Sequence, residues 1–218
     1  MELYQASPEA IIRSGKIFRG IFAELNKESK NFKPGLIETG SKTRDMKTPI
    51  DWLTMAYVVH QSFRLDEHVT MPLTDKNDSD FRLYLGDIGM FIYQSGINSA
   101  SFLSGDPNNT LSGIFFENYI ANELTARGIG LYYWCGKRNS ELEFIVESDG
   151  LLYPIDVKKN RGSLNSLENF SHHNRFEAAI RVSSNNYGYN NGQKLLTVPF
   201  YMFFLVADDL SKGLRIVG

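Results

Sequence analysis

Three charged side chains stand where strands ought to be apolar. The stretch ELEFIVESDGLLYPIDVKK, Glu141 to Lys159, reads as two short apolar strands joined by a turn at Ser148-Asp149-Gly150. Successive side chains on a strand point to opposite faces. In ELEF, Glu141 and Glu143 therefore share one face, with Leu142 and Phe144 on the other. In IDVKK, Asp156 and Lys158 share a face opposite Ile155 and Val157. If the hairpin pairs as its turn implies, Glu143, Asp156 and Lys158 converge at one end. Two neighbouring carboxylates repel, and burial would raise the pKa of each. A divalent cation relieves this, and Mg²⁺ favours one or two carboxylates completed by waters and phosphate oxygens. A lysine beside it can orient a water or stabilise charge on a phosphoryl transition state. The expectation is a metal site made by Glu143 and Asp156, with Lys158 as the accompanying cation. The rival expectation is a solvated sheet face, on which Asp156 and Lys158 form an ordinary pair that contributes little. Spacing alone leaves both open.

A further acid, Glu117, sits in the apolar helical stretch IFFENYIANEL. Phe115, Phe116, Tyr119 and Ile120 flank it, which would turn it toward the sheet. Other motifs carry less. GLIETGSKT (Gly35 to Thr43) has one residue too many for a phosphate loop and no apolar strand before it. CGKRN (Cys135 to Asn139) lacks the hydroxyl that would hold Mg²⁺. His60, His68, His172 and His173 have no metal-finger spacing with cysteine. The single Cys135 has no evident catalytic partner and reads as structural.

The elements that must position these residues follow from periodicity and punctuation. Ser7-Pro8 starts a helix that places Ile11, Phe18, Ile21, Phe22 and Leu25 at helical spacing. NFKPGLI breaks it. Thr48-Pro49-Ile50-Asp51 predicts a second start, with Trp52, Leu53 and Met55 facing inward. YVVHQSFRL and FRLYL read as strands on either side of a polar loop, and Asp87 to Gln94 as a short helix. SGDPNNTLSG is a turn-rich break that suggests a boundary, dividing the chain into 1–103 and 104–218. Beyond it come a helix (111–127), three strands (131–134, 142–146, 152–157), a helix (163–176), a strand (179–182), the polar turn SSNNYGYNNGQ and a last apolar strand PFYMFFLV. That order predicts a three-layer α/β domain with a mixed sheet.

The whole chain has 218 residues, 42% of them hydrophobic and 22% charged, enough for one large or two small domains. One cysteine excludes an internal disulfide framework and points to a reducing compartment. No run is apolar enough for a membrane span and no secretion signal opens the chain, so the expectation is cytoplasmic, without a membrane partner. Net charge is −2, yet nine Lys or Arg against four Asp or Glu fall between Arg13 and Lys47. Such a segment is either a solvated helix face or a nucleic-acid surface.

The joint pattern is more specific than its parts. GIFFENYIANEL, LYYWCGKRNSELEFIVESDGLLYPIDVKK and NRGSLNSLENF together resemble the C-terminal domain of unknown function fused to bacterial and archaeal AAA-type ATPases. FKPGLIETGSKTRDMKTPIDWLTMAYVVHQSFRL, and the tail from AIRVSSNNYG through TVPFYMFF, extend the resemblance over nearly the whole chain. It implies a fold similar to PD-(D/E)XK nucleases: a restriction-endonuclease-like mixed sheet flanked by helices, preceded by a small helical winged-helix-like unit. Glu117 falls on the family's helix acid, Glu143 where Asp is usual, Asp156 where Glu is usual, and Lys158 on its lysine. Both exchanges keep a carboxylate and change its reach by one methylene in opposite senses. The family usually carries an ATPase module before this region, and this chain opens near where that module would end.

The resemblance implies a metal-dependent nuclease acting on DNA, using Mg²⁺ or Mn²⁺. Glu143 and Asp156 would be the ligands, Lys158 and Glu117 would assist, and the basic N-terminal segment would hold phosphates. The alternative is a non-catalytic module on the same scaffold that binds DNA or a protein, such as an ATPase module or a second copy of itself. Between Lys137 and Arg181 seven acidic and seven basic residues balance, so no phosphate funnel is evident.

Overall fold

Helix α1 (Pro8–Leu25) begins where its sequence predicts. The Ser7 hydroxyl oxygen accepts from the Ala10 N–H at 3.2 Å, and Pro8 occupies a first-turn position that needs no N–H. Ile17, Ile21 and Leu25 face the core, whereas Ile11 is exposed. These details come from a computed structural model that describes residues 7–74, 77–97, 112–137, 140–158 and 163–216. After the short helix α2 (Pro34–Ile37), α3 (Thr43–Met55) starts five residues earlier than its Thr48-Pro49 pair suggests. The Lys42 N–H donates to the Asp45 carboxylate at 2.8 Å and closes the first turn. Pro49 then lies inside the helix, where it forfeits one backbone hydrogen bond. Burial of Met46, Ile50 and Leu53 in the core shared with α1 offsets that loss, while Trp52 and Met55, expected inward, are exposed.

Strand β1 (Val59–Leu65) pairs antiparallel with β2 (Asn77–Leu85), as a hairpin should. Its other edge pairs in parallel with β3 (Leu131–Cys135), which pairs antiparallel with β4 (Glu141–Leu142), giving the order β2-β1-β3-β4. Between β2 and β3 run α4 (Ile88–Ser95) and α5 (Ser112–Thr125). The boundary suggested at 103/104 lies outside the described residues, and the first sheet takes strands from both sides of it.

The second sheet contains β5 (Phe144–Ser148), β6 (Leu151–Val157), β7 (Ala179–Ser183), β8 (Gly188–Asn190) and β9 (Leu195–Pro199) in the order β5-β6-β7-β9-β8. Helix α6 (Asn165–Ser171) lies between β6 and β7, and α7 (Phe203–Ser211) follows β9. The result is a mixed α/β architecture with two mixed sheets where the sequence suggested one, and seven α-helices among the described residues. The expected strand 142–146 is the reason: the chain leaves the first sheet after Leu142, bends at Glu143 and enters the second at Phe144.

Both faces of the second sheet are covered. Phe144, Val146, Tyr153, Ile155 and Val157 point into the main core with Ile120, Leu124 and Phe203. Ile145 and Leu152 point the other way, into a smaller cluster with Trp134 and Phe170, whose rings meet edge-on at 5.2 Å. The expected final strand PFYMFFLV is instead a 3₁₀ turn (Phe200–Met202) leading into α7. Phe203, Val206, Ala207 and Leu210 are buried at helical spacing, but the outer face carries Phe204 and Leu205, so the periodicity is hidden by apolar residues all round. Among the described residues no helix is long and apolar enough to cross a membrane.

One close approach fixes how the β1–β2 hairpin leaves α3. Tyr57 adopts the left-handed region (φ 57°), and the Gly86 N–H donates to the Val58 carbonyl at 2.8 Å. An added Cβ at Gly86 would lie 2.1 Å from the Tyr57 carbonyl oxygen. Gly86→Ala is expected to destabilise the protein by roughly 1–3 kcal/mol through forced backbone displacement. The check is the midpoint of chemical unfolding followed by tryptophan fluorescence.

Candidate functional site

The bend at Glu143 puts its carboxylate at the corner between the two sheets. Continuing the β5–β6 register one step beyond Phe144↔Ile155 brings Glu143 across from Asp156. The Glu143 Oε2 accepts from the Val157 N–H at 2.9 Å, which fixes the side chain over the end of β6. Lys158 then lies between the two acids: its Nζ is 3.3 Å from Glu143 Oε1 and 2.9 Å from Asp156 Oδ1. Glu143 and Asp156 are both buried, and Lys158 is one-third exposed. The three residues of the hairpin thus converge, on a buried corner rather than a solvated face.

Asp156 has a second cation. Arg181, on the neighbouring strand β7, donates from Nε and Nη2 to Asp156 Oδ2 at 3.1 and 2.8 Å, and from Nη2 to the Ser163 carbonyl. Asp156 and Arg181 are register partners, so the ion pair follows directly from strand pairing.

Glu117 comes from α5 and is buried with Glu143 as an electrostatic neighbour. Its partner is Lys30, 2.6 Å away, which also contacts Glu141 at 3.2 Å. Glu141 is gripped from the other side by Arg82 of β2, which donates from Nη1 and Nη2 at 2.9 and 2.8 Å. Arg82 is itself buried, 3.9 Å over the Tyr133 ring. Three neighbouring anchors hold Lys30 in place. Asn31 Oδ1 accepts from the Tyr133 hydroxyl at 2.9 Å, the Phe32 N–H donates to the Phe81 carbonyl at 2.8 Å, and the Phe32 and Phe81 rings stack at 5.4 Å.

Two alternating runs result, Arg82–Glu141–Lys30–Glu117 and Glu143–Lys158–Asp156–Arg181. They are coupled electrostatically through Glu117 and Glu143. Burial there, opposed by Lys158 and reinforced by the charge of Glu117, pushes the Glu143 carboxyl up to about 7. Glu141 moves the other way. Burial would raise it, but Lys30 and Arg82 outweigh burial and hold it down at about 2. Burial would likewise lower Lys30 and Lys158. The carboxylates of Glu117 and Glu141 hold the first above its ordinary range, and those of Glu143 and Asp156 hold the second.

Among the described residues no three His, Cys, Asp or Glu side chains are grouped closely enough to enclose a metal ion. A Mg²⁺ site needs fewer, since water and substrate oxygens complete its shell. Two buried oxygens carry no hydrogen bond, Glu117 Oε2 and Asp156 Oδ1, although Lys158 Nζ stands 2.9 Å from the latter as an ion pair. Both oxygens of Glu143 are engaged, Oε2 by the Val157 N–H and Oε1 by Lys158.

Sequence reasoning found Glu117, Glu143, Asp156 and Lys158 and missed Lys30, Arg82, Glu141 and Arg181 as parts of the same network. The parity of Glu141 with Glu143 was a signal for one of them; Lys30 and Arg82 gave none, because their partners lie 87 and 59 residues away. The basic N-terminal segment is dispersed. Arg13 pairs with Glu9 and Glu38, Lys27 with Glu24, Lys30 is half-buried against Glu117 and Glu141, and Arg44 and Lys47 line a separate groove of about 850 Å³ beside β1.

Lys30→Met strips a half-buried cation from two carboxylates, one of them the buried Glu117, and is expected to cost roughly 3–5 kcal/mol. Adding Glu117→Gln should restore part of it, measured by denaturant unfolding at neutral pH. The pH dependence has two signs. The Glu141 contribution is complete above its ordinary value of 4.5 and is lost as pH falls toward about 2. The Glu143 carboxyl, raised in the fold, favours folding below about 4.5 and loses that contribution as pH rises through about 7. Glu143→Gln is thus expected to be more stable relative to the parent at pH 8 than at pH 4, by up to about 3 kcal/mol.

Residues 112–201 match the family described as a domain of unknown function, DUF4143. No curated protein and no solved structure matches the chain. The matched segment contains all four acids of the network together with Lys158 and Arg181, while Lys30 and Arg82 lie outside it.

Proposed function

We propose that this chain is a metal-dependent nuclease-like protein acting on DNA phosphodiesters, on a restriction-endonuclease-like fold related to the domain fused to AAA-type ATPases. The observation that carries the reading is the meeting of Glu143 at the bend before β5 with Asp156 and Lys158 at the end of β6, with Glu117 as an electrostatic neighbour from α5. Glu143 and Asp156 would hold Mg²⁺ or Mn²⁺, which when bound would polarise a phosphoryl oxygen and acidify a water. Lys158 keeps an ammonium between the two acids, where its protons can orient an attacking water or balance charge on a phosphoryl oxygen. Glu117 offers its unpartnered Oε2 as acceptor for that water. Arg181 fixes the Asp156 carboxylate through Oδ2 and leaves Oδ1 as the ligand atom.

A second reading has its own support. Every acid of the site is matched to a Lys or Arg, and Glu117, Glu143 and Asp156 are buried. A charge-balanced, covered corner also suits a non-catalytic scaffold that binds DNA or a protein partner such as an ATPase module.

Calorimetric titration of Mg²⁺ and Mn²⁺ into the wild type and Asp156→Asn separates the two, followed by incubation of both with plasmid DNA. The nuclease reading expects metal binding and nicking by the wild type, both lost in the variant. Absence of metal binding by the wild type would leave the scaffold.

A further inference from the structure

Four buried polar atoms without a partner are gathered where α5 covers the first sheet. Among the described residues seven buried side-chain nitrogens and oxygens have no hydrogen bond, and Ser62 Oγ, Arg82 Nε, Tyr84 Oη and Glu117 Oε2 are four of them. Ser62 and Arg82 are register partners on β1 and β2, so their side chains project from the same face. Tyr84 lies two residues beyond Arg82 on β2 and shares that face. Ile120 and Leu124 of α5 pack into one core with Tyr84 and Leu131. Asn118 fixes the helix to the end of β2: its Oδ1 accepts from the Leu85 N–H at 2.8 Å and its Nδ2 donates to the Leu85 carbonyl at 2.9 Å. Glu117, one residue earlier, is linked to Arg82 through Lys30 and Glu141. The Tyr84 ring lies 5.6 Å from that of Phe144, the residue after Glu143.

The grouping calls for a common cause. A buried donor or acceptor left unmatched loses its hydration with no return, and native folds match nearly all of them. Here the unmet needs are complementary, yet no two of the four atoms bond one another. Arg82 Nε donates, a carboxylate oxygen such as Glu117 Oε2 accepts, and the two hydroxyls do either. Burial and the charge of Glu117, opposed by Arg82 and Lys30, hold the Tyr84 hydroxyl above its ordinary range, so it keeps a proton to donate. Water offers two donors and two acceptors, and a buried water makes about three hydrogen bonds to groups of this kind.

We propose that ordered water is bound in this seam between β1, β2 and α5, joining the hydroxyls of Ser62 and Tyr84 to Arg82 Nε and Glu117 Oε2. Glu117 is then anchored twice, by Lys30 on Oε1 and by water on Oε2. Tyr84 becomes coupled to Glu117 without touching it. A carboxylate oxygen has two lone pairs, so Oε2 can still accept from a second water on the side of Glu143. The inference does not depend on the nuclease reading, since buried ions in a binding scaffold need the same solvation.

The test is a crystal structure of the full chain at a resolution that shows ordered water. Density for a water within hydrogen-bonding distance of both Tyr84 Oη and Glu117 Oε2 is expected. Tyr84→Phe removes the hydroxyl and conserves the ring, so the core keeps its shape. Oxygen-17 relaxation dispersion, which counts waters held in the interior, should register fewer in that variant than in the wild type. Denaturant midpoints of Tyr84→Phe, Glu117→Gln and the double variant should show a combined loss smaller than the sum of the two, because either change breaks the shared water. A dry seam, a direct Tyr84–Glu117 hydrogen bond, an unchanged water count or strictly additive losses would overturn the proposal. Metal titration and nicking do not enter, so failure of the nuclease reading leaves these results unaltered.

Discussion

Charge burial at the junction of the two sheets is the constraint on which the rest of this structure depends. Glu117, Glu143, Asp156 and Arg82 are buried, and none could be without partners of opposite sign, since an isolated buried ion costs several kcal/mol. The cations come from four separate places: Lys30 follows α1, Arg82 sits in β2, Lys158 ends β6 and Arg181 lies in β7. Satisfying four carboxylates thus requires the loop after α1, both sheets and α5 to arrive together. The bend at Glu143 is the hinge of this arrangement, because one continuous chain segment supplies Glu141 to the first run and Glu143 to the second.

The alternation brings two like charges near one another at one place. Glu117 and Glu143 repel one another, Lys30 and Lys158 hold them in turn, and Glu117 Oε2 has no hydrogen bond. A protein that sought only stability would fill such a corner with apolar residues. The corner instead keeps its acids, and Lys158 reaches from it partly into solvent.

Local signals in the sequence were strong enough to bring Glu143, Asp156 and Lys158 together and to place most elements, and they failed where structure is set at long range. The period-2 pattern gave the faces of Glu143, Asp156 and Lys158, and Ser7-Pro8 gave the start of α1. The Thr48-Pro49 pair misled because proline is read as a start while burial of Met46 and Ile50 extends α3 before it. PFYMFFLV misled because exposed Phe204 and Leu205 mask a helical period. The change of sheet at Glu143 leaves no compositional mark: neither glycine nor proline accompanies it. The charge partners of Glu117 and Glu141 are equally illegible, because a Lys in a polar loop and an Arg in a strand carry no sign of their burial.

The placement of Lys30 and Arg82 has a consequence for how such a chain can change over generations. The acids and the cations that neutralise them are encoded 59 to 111 residues apart. An exchange of the segment 112–201 between relatives would carry Glu117 and Glu141 away from both cations. Recombination at that junction is therefore penalised unless the incoming partner brings equivalent bases in the same two places. Single substitutions meet a similar barrier, and a neutral residue at Lys30 becomes tolerable after Glu117 has lost its charge. The two halves form one heritable unit, with the order of permissible replacements set by electrostatics.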